Sequence, residues 1–137
     1  MVRFPLRARV VGALAAAALA GLCATGCASQ PVVPSLATFE IQGQTFRIEL
    51  ATPELVRHAE QLLQGAEVAP IPVGRIVRGS GSVNEPWSWH IDPASLEFAD
   101  FTTEVCDGLP QFVEDRTLTS DTYCPWMARV VSVEPLR

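Results

Sequence analysis

The sequence contains no lysine, so all ten of its positive side chains are arginines. Fifteen aspartates and glutamates oppose them, and the whole chain has a net charge of −5. Three arginines (Arg3, Arg7 and Arg9) lie at the N-terminus, and without them seven arginines face fifteen carboxylates, a net charge of −8. Because proteins bind DNA and RNA backbones through positive side chains, this balance excludes nucleic acid as a partner. Basic peptides and divalent cations are the partners that an acidic surface attracts.

No apolar run is long enough to span a bilayer as a helix. The longest, residues 10–24, follows the three N-terminal arginines and precedes the small residues of 24–28. A positive segment, a short apolar segment and a small-residue cleavage site are typical of a secretory signal peptide. We therefore predict a signal peptide over residues 1–26, with a single-pass membrane anchor as the alternative.

The end of this signal resembles a bacterial lipobox, Ala24-Thr25-Gly26-Cys27, in which the cysteine becomes the lipidated N-terminus. The alternative is ordinary cleavage after Ala28, because Gly26 and Ala28 also fit a small-x-small site. We expect a lipoprotein anchored through Cys27 at the outer membrane or cell surface, or else a periplasmic or secreted soluble protein. Residues 27–37, with two prolines and no charge, form the predicted tether, and residues 38–137 form a single globular domain.

Only two cysteines, Cys106 and Cys124, lie in the predicted domain. Outside the cytoplasm such a pair most often forms a disulfide. The alternatives are a metal site or a reactive thiol, but the sequence has no C-x-x-C or H-x-x-x-H spacing of a zinc site. We predict the disulfide and no cofactor.

The apolar spacing predicts an α+β fold. Residues 39–41 and 46–50 alternate as two strands around a turn at Gly43, and Thr52-Pro53 begins a helix of about 13 residues. Strands are predicted at 74–78, 87–92, 95–98, 101–106 and 128–133, with a short helix within 109–115. The expected architecture is one antiparallel sheet of about five to six strands, one main helix packed on one face, and one disulfide.

The stretch 86–107 holds four of the candidate site residues. Alternation places Trp87 and Trp89 on one face of a strand and His90 and Asp92 on the other. The two indoles either face the core or, with Trp126, form an exposed binding surface. His90 and Asp92 suit a base–orienter pair or two metal ligands, although two ligands are too few for a metal site. The other histidine, His58, lies off the apolar stripe of the helix and is predicted to be solvated.

Four motifs together resemble a known family: F-R-I-E-L at 46–50, N-E-P-W-S-W-H-I-D-P at 84–93, E-V-C-D-G at 104–108 and Y-C-P-W at 123–126. They are similar to the N-terminal domain family named after a protist calmodulin-binding protein, found in bacteria as small secreted domains. The resemblance spans residues 38–134 and implies one compact domain in which Cys106 pairs with Cys124. It implies no established activity. Calmodulin binding does not carry over, because an acidic, lysine-free domain with one short amphipathic helix is a poor calmodulin target.

These features predict a non-catalytic module of the cell envelope that binds a protein or peptide through Trp87, Trp89 and Trp126. One alternative is a small metal-binding or metal-assisted hydrolytic domain that uses His90 and Asp92. Another is a secreted protease inhibitor, suggested by size, disulfide and export.

Overall fold

A computed structural model of the protein describes residues 33–79 and 82–137, which fall within one compact unit, Pro31–Arg137. The predicted signal peptide and Cys27 lie outside the described residues. Within the described part of the chain, no helix is long and apolar enough to cross a membrane.

The described chain is α+β. Its strands are β1 (Ser35–Ile41), β2 (Gln44–Leu50), β3 (Ile71–Arg78), β4 (Trp89–Ile91), β5 (Glu97–Ala99), β6 (Thr122–Tyr123) and β7 (Arg129–Pro135). Its helices are α1 (Pro53–Leu63) and α2 (Pro110–Glu114), with single 3₁₀ turns at Ser82–Asn84, Pro93–Ser95 and Glu104–Cys106.

The first sheet has the strand order β2-β1-β7, with all neighbours antiparallel. The predicted hairpin of β1 and β2 is confirmed: Gln42 and Gly43 have φ values of 49° and 80°, as a two-residue turn requires. Glu40 accepts a hydrogen bond from the Gly43 amide and fixes this turn. Strand β1 begins at Ser35, and Ala37 is buried, so three residues that the sequence placed in the tether belong to the sheet.

The main helix begins where its sequence signals placed it. The Thr52 hydroxyl accepts a hydrogen bond from the Leu55 amide, Pro53 is the first helical residue, and Gly65 follows the end with a φ of 78°. Such an N-cap is worth about 1 kcal/mol. The helix packs against the first sheet, chiefly against β7, and Ala59 is its most deeply buried residue.

The second sheet is organised around β3. The first three residues of β3 pair with β5, the next two with β6 and the last three with β4, all antiparallel. The seven described strands therefore form two sheets, where the sequence predicted one of five to six strands. The division arises because the C-terminal strand joins the β1–β2 hairpin, while three short strands share β3.

Residues 101–106 are not a strand, which corrects the prediction from their alternation. Their last three residues form the 3₁₀ turn Glu104–Cys106, and no strand of the described chain pairs with them. A strand needs a neighbouring strand that pairs with its backbone N–H and C=O groups, which this segment lacks in the described chain. The Cys106–Cys124 disulfide holds the segment in place.

The main core is built from buried side chains of both sheets and of the helices α1 and α2. It combines aromatic residues with aliphatic ones, including Phe39, Phe46, Trp89, Val113 and Tyr123. A smaller cluster contains Ile71 and the two cysteines, with Val73 packed against it. The disulfide is thus the centre of its own small core.

Candidate functional site

Trp89 is a core residue. Its side chain is 0% exposed, and its ring lies 5.4 Å from that of Tyr123 and 6.2 Å from that of Phe46. Burial also raises the pKa of Tyr123, whose hydroxyl donates to the Gly108 carbonyl oxygen. Trp89 therefore faces the core, which is one of the two orientations considered for the strand, and it is not accessible to a ligand at the surface.

Trp87 lies at the margin of this core. Its ring is 6.4 Å from that of Trp89, and its indole N–H donates to the Thr45 carbonyl oxygen at 2.7 Å. Thr45 belongs to β2, whose free edge faces this tryptophan. Trp87 is half-buried and covers a strand edge, so its polar atom is already used.

Trp126 is separate from the other two tryptophans. The aromatic contacts of the described residues join Trp87 to Trp89, and none of them includes Trp126. Its side chain is 37% exposed, its indole N–H donates to the Thr102 hydroxyl, and its amide donates to Asp107 Oδ1. The three tryptophans of the predicted binding surface therefore do not form one surface.

The predicted disulfide between Cys106 and Cys124 is present, with 5.1 Å between the two Cα atoms. The Cys124 amide donates to the Cys106 carbonyl oxygen at 2.8 Å, and the Thr102 hydroxyl donates to Cys124 Sγ. The bridge joins the segment 101–106 to the segment 124–127. Because the same Thr102 hydroxyl accepts from Trp126, it links the tryptophan to the disulfide.

The two segments joined by the disulfide carry four exposed apolar side chains. Phe101 is 86% exposed, and Val105 and Met127 are each 73% exposed, more than any other large apolar side chain in the described chain. We call the following residues the disulfide patch: Phe101, Val105, Trp126 and Met127. The exposure of Phe101 and Val105 was not predicted, because alternation in 101–106 favoured a strand with its apolar residues on a buried face. Met127 lay between predicted elements and was not a candidate residue.

A small open pocket of about 190 Å³ lies within this region. Its lining, which we call the Trp126 pocket, comprises Ile71, Asp100, Phe101, Thr102 and Trp126. Ile71 is buried at the start of β3 and supplies an apolar surface, while Asp100 is exposed. The lining is therefore mostly apolar, and Asp100 is the one acidic residue in it.

Asp92 and His90 have different surroundings. Asp92 Oδ1 accepts from the Ala94 amide, and Oδ2 forms an ion pair with Arg75; the hydrogen bond from Arg75 is the main reason that the pKa of this carboxyl is lowered. His90 is half-buried in β4, and its Nδ1 is buried without a hydrogen-bond partner in the described chain. Nor does any group of three His, Cys, Asp or Glu side chains in that part of the chain have the geometry to hold a metal ion. Both carboxylate oxygens of Asp92 therefore have partners within the protein, and the bond from the Ala94 amide fixes the 3₁₀ turn Pro93–Ser95.

His58 is not solvated, contrary to the sequence prediction. Its ring stacks on that of Phe98 with 4.3 Å between the centroids, and Nε2 donates to the Ala69 carbonyl oxygen at 2.8 Å. The residue is half-buried and joins α1 to β5 and to the segment before β3. These contacts indicate that the role of His58 is to pack α1 against its neighbours.

Comparison with known proteins places the chain in a family. The sequence model of the BP-74 N-terminal domain matches residues 34–137, three quarters of the chain and nearly all of the described part. This is the calmodulin-binding-protein family that the motifs at 46–50, 84–93, 104–108 and 123–126 resemble, and all four motifs lie inside the matched range. No curated protein and no solved structure matches the chain. The chain belongs to the BP-74 N-terminal domain family.

Proposed function

We propose that this domain is a non-catalytic binding module of the cell envelope, exported and held at a membrane through lipid on Cys27. Its partner is a protein or peptide, and the disulfide patch is the contact surface. The observation that carries the proposal is the exposure of Phe101, Val105 and Met127, with the half-exposed Trp126, on two segments that the Cys106–Cys124 disulfide joins. Soluble domains rarely expose neighbouring large apolar side chains unless these contact a partner.

The composition of the patch suits a protein interface. Aromatic residues and methionine are enriched where protein partners meet, and tryptophan is among the residues that contribute most to binding energy. The Trp126 indole N–H already donates to Thr102, so the ring can lose its water without leaving an unpaired donor.

The disulfide supports the proposal because it holds both halves of the patch together before binding. Residues 101–106 and 124–127 are loops, and loops lose conformational entropy when they bind a partner. The Cys106–Cys124 bridge and the Thr102 hydrogen bonds reduce that cost in advance. The patch is therefore an ordered surface.

A membrane is the other surface that exposed apolar loops contact. The acidic side chains around the patch, Asp100, Glu104 and Asp107, disfavour it, because bacterial lipid surfaces carry negative charge. A protein partner with basic residues suits the same surroundings.

The test is selection of random linear peptides on the protein purified after export of the full chain. We expect the selected peptides to lose at least about tenfold in affinity on Phe101→Ala and Trp126→Ala, as truncation of interface anchors does. Leu63→Ala is the control, because Leu63 is also exposed but lies at the end of α1. Peptides that bind the two patch variants as tightly as the parent protein contradict the proposal. So does binding to neutral lipid vesicles that depends on Phe101.

Export and anchoring have their own test. In a bacterial host, the full chain is expected to incorporate labelled palmitate, and Cys27→Ser is expected to abolish the label. An unlabelled protein whose mature N-terminus is Ser29 supports the alternative of ordinary cleavage after Ala28.

A further inference from the structure

The Trp126 pocket is too small for a drug-sized ligand. Sites for drug-sized molecules begin at roughly 300 Å³, whereas this pocket measures about 190 Å³. It is open to solvent and lies inside the disulfide patch. Its size suits one side chain that projects from a larger partner.

The polar side-chain atoms of the pocket limit the chemistry of that side chain. The Trp126 indole N–H donates to the Thr102 hydroxyl, and this hydroxyl donates to Cys124 Sγ, so both groups are engaged within the protein. Asp100 has no ion-pair or side-chain hydrogen-bond partner in the described chain. The free polar side chain is thus a carboxylate, which accepts hydrogen bonds and carries negative charge.

The segment that contains Asp100 carries charge of the same sign. Between Arg78 and Arg116 the sequence has 37 residues with eight aspartates and glutamates and no lysine or arginine. Asp100 and Glu104 are exposed within this segment, and no positive side chain in it competes with a ligand for them. The charge of Asp100 and of the acidic segment around it in the sequence therefore favours a positive group in the pocket over a negative one.

We infer that the Trp126 pocket binds an arginine side chain of the protein partner. The methylene chain lies against Ile71, while the guanidinium stacks on the aromatic wall and donates to Asp100. Arginine fits better than lysine, because its planar head stacks on aromatic rings and donates to both oxygens of a carboxylate at once. This inference rests on the proposed function, since it names a feature of the partner that the same patch contacts.

The experiment follows the indole N–H signal of Trp126 by NMR in the protein purified after export of the full chain. The probes are N-acetylarginine methylamide and the matching amides of lysine, citrulline and norleucine. Citrulline keeps the shape of arginine without its charge, and norleucine keeps only the apolar stem. The variants are Asp100→Asn and, as the control, Glu60→Gln, which removes an exposed carboxylate from α1.

We expect a saturable shift with the arginine probe, and about fivefold weaker binding of the citrulline probe, the size of one exposed ion pair with ring stacking. Asp100→Asn is expected to weaken the arginine probe by a similar factor and to leave citrulline unchanged, while Glu60→Gln changes neither. Equal binding of arginine, citrulline and norleucine overturns the inference in favour of an apolar anchor. Absence of a saturable shift with the arginine probe also overturns it.

Failure of this inference is distinguishable from failure of the proposed function. If selected peptides lose affinity on Phe101→Ala but not when their arginines are replaced by citrulline, the patch binds a partner and the pocket does not take arginine. If the peptides bind Phe101→Ala and Trp126→Ala unchanged, the proposed function itself is wrong, whatever the arginine probe does.

Discussion

Asn84 Nδ2 donates to the Trp89 carbonyl oxygen at 2.8 Å, and this contact ties the start of β4 to the 3₁₀ turn before it. The Oδ1 atom of the same side chain accepts from the Arg47 amide at 2.7 Å. Asn84 is fully buried, and its side chain bonds one backbone group of each sheet: the Arg47 amide of β2 and the Trp89 carbonyl of β4. Together with Trp87, which caps the Thr45 carbonyl, it closes the edge of β2 against further strands.

Asn84→Ala is expected to lower the free energy of unfolding by about 2–4 kcal/mol, because it leaves the buried Trp89 carbonyl and the partly buried Arg47 amide without partners. Urea unfolding measures this change, and hydrogen exchange of the Arg47 amide is expected to accelerate. Thr45→Ala is the control, since the bond from Trp87 reaches its backbone oxygen and survives the substitution. An Arg47 amide equally protected in Asn84→Ala contradicts this role.

The tryptophans are expected to differ sharply in their effect on stability. Trp89→Ala removes a fully buried indole and is expected to cost about 3–5 kcal/mol, whereas Trp126→Ala removes a partly exposed one and is expected to cost less than about 1 kcal/mol. Chemical unfolding measures both. Similar losses at the two positions mean that Trp126 is a core residue and is not available to a partner.

Removal of the disulfide is expected to destabilise the domain without changing its fold. The bridge spans 18 residues, for which the chain-entropy relation gives about 3 kcal/mol. The double variant Cys106→Ala with Cys124→Ala is expected to lose this amount in urea unfolding. A thiol reductant is expected to lower the stability of the parent protein by the same amount and to leave the double variant unchanged. A reductant effect that persists in the double variant has another origin.

The Arg75–Asp92 pair is expected to contribute a pH-dependent part of the stability. The Arg75 hydrogen bond lowers the pKa of Asp92 in the folded state. A lowered carboxyl pKa stabilises the fold fully above the ordinary aspartate pKa of about 4, and this contribution is lost as the pH falls through the lowered value. The difference in Tm between the parent protein and Asp92→Asn is therefore expected to shrink as the pH drops below about 4. Glu97→Gln, at an exposed carboxyl of β5, is the control. A difference that is constant with pH contradicts the assignment.

The elements that the sequence predicted well depend on neighbouring residues. The β1–β2 turn follows from Gly43, which favours a positive φ, and the start of α1 follows from Thr52 and Pro53. The disulfide was predicted from the number of cysteines in the domain and from the predicted export of the chain. Each of these signals lies within a few residues of the element, or is independent of the fold.

The features that the sequence did not predict depend on distant pairing. Alternation in 101–106 is the same whether or not a strand lies beside it, so the apolar side chains Phe101 and Val105 were assigned to a buried face that has no covering strand. The division into two sheets depends on β7 joining β1, which local spacing does not encode. For the same reason the disulfide patch was found only in the structure. The one feature of the sequence that pointed to it is that its residues lie close to the two cysteines.

The pairing of β1 with β7 places Ser35 opposite Pro135, and the Leu136 amide donates to the Pro34 carbonyl oxygen. A short linker therefore suffices to join residue 136 to residue 34, and new ends can be opened at the exposed residues 115–117 between α2 and β6. Such a circular permutant retains every strand pairing described above. A segment fused to its N-terminus joins the domain at the new end and no longer at residue 34. The choice of the new end therefore sets how the disulfide patch is oriented relative to that segment.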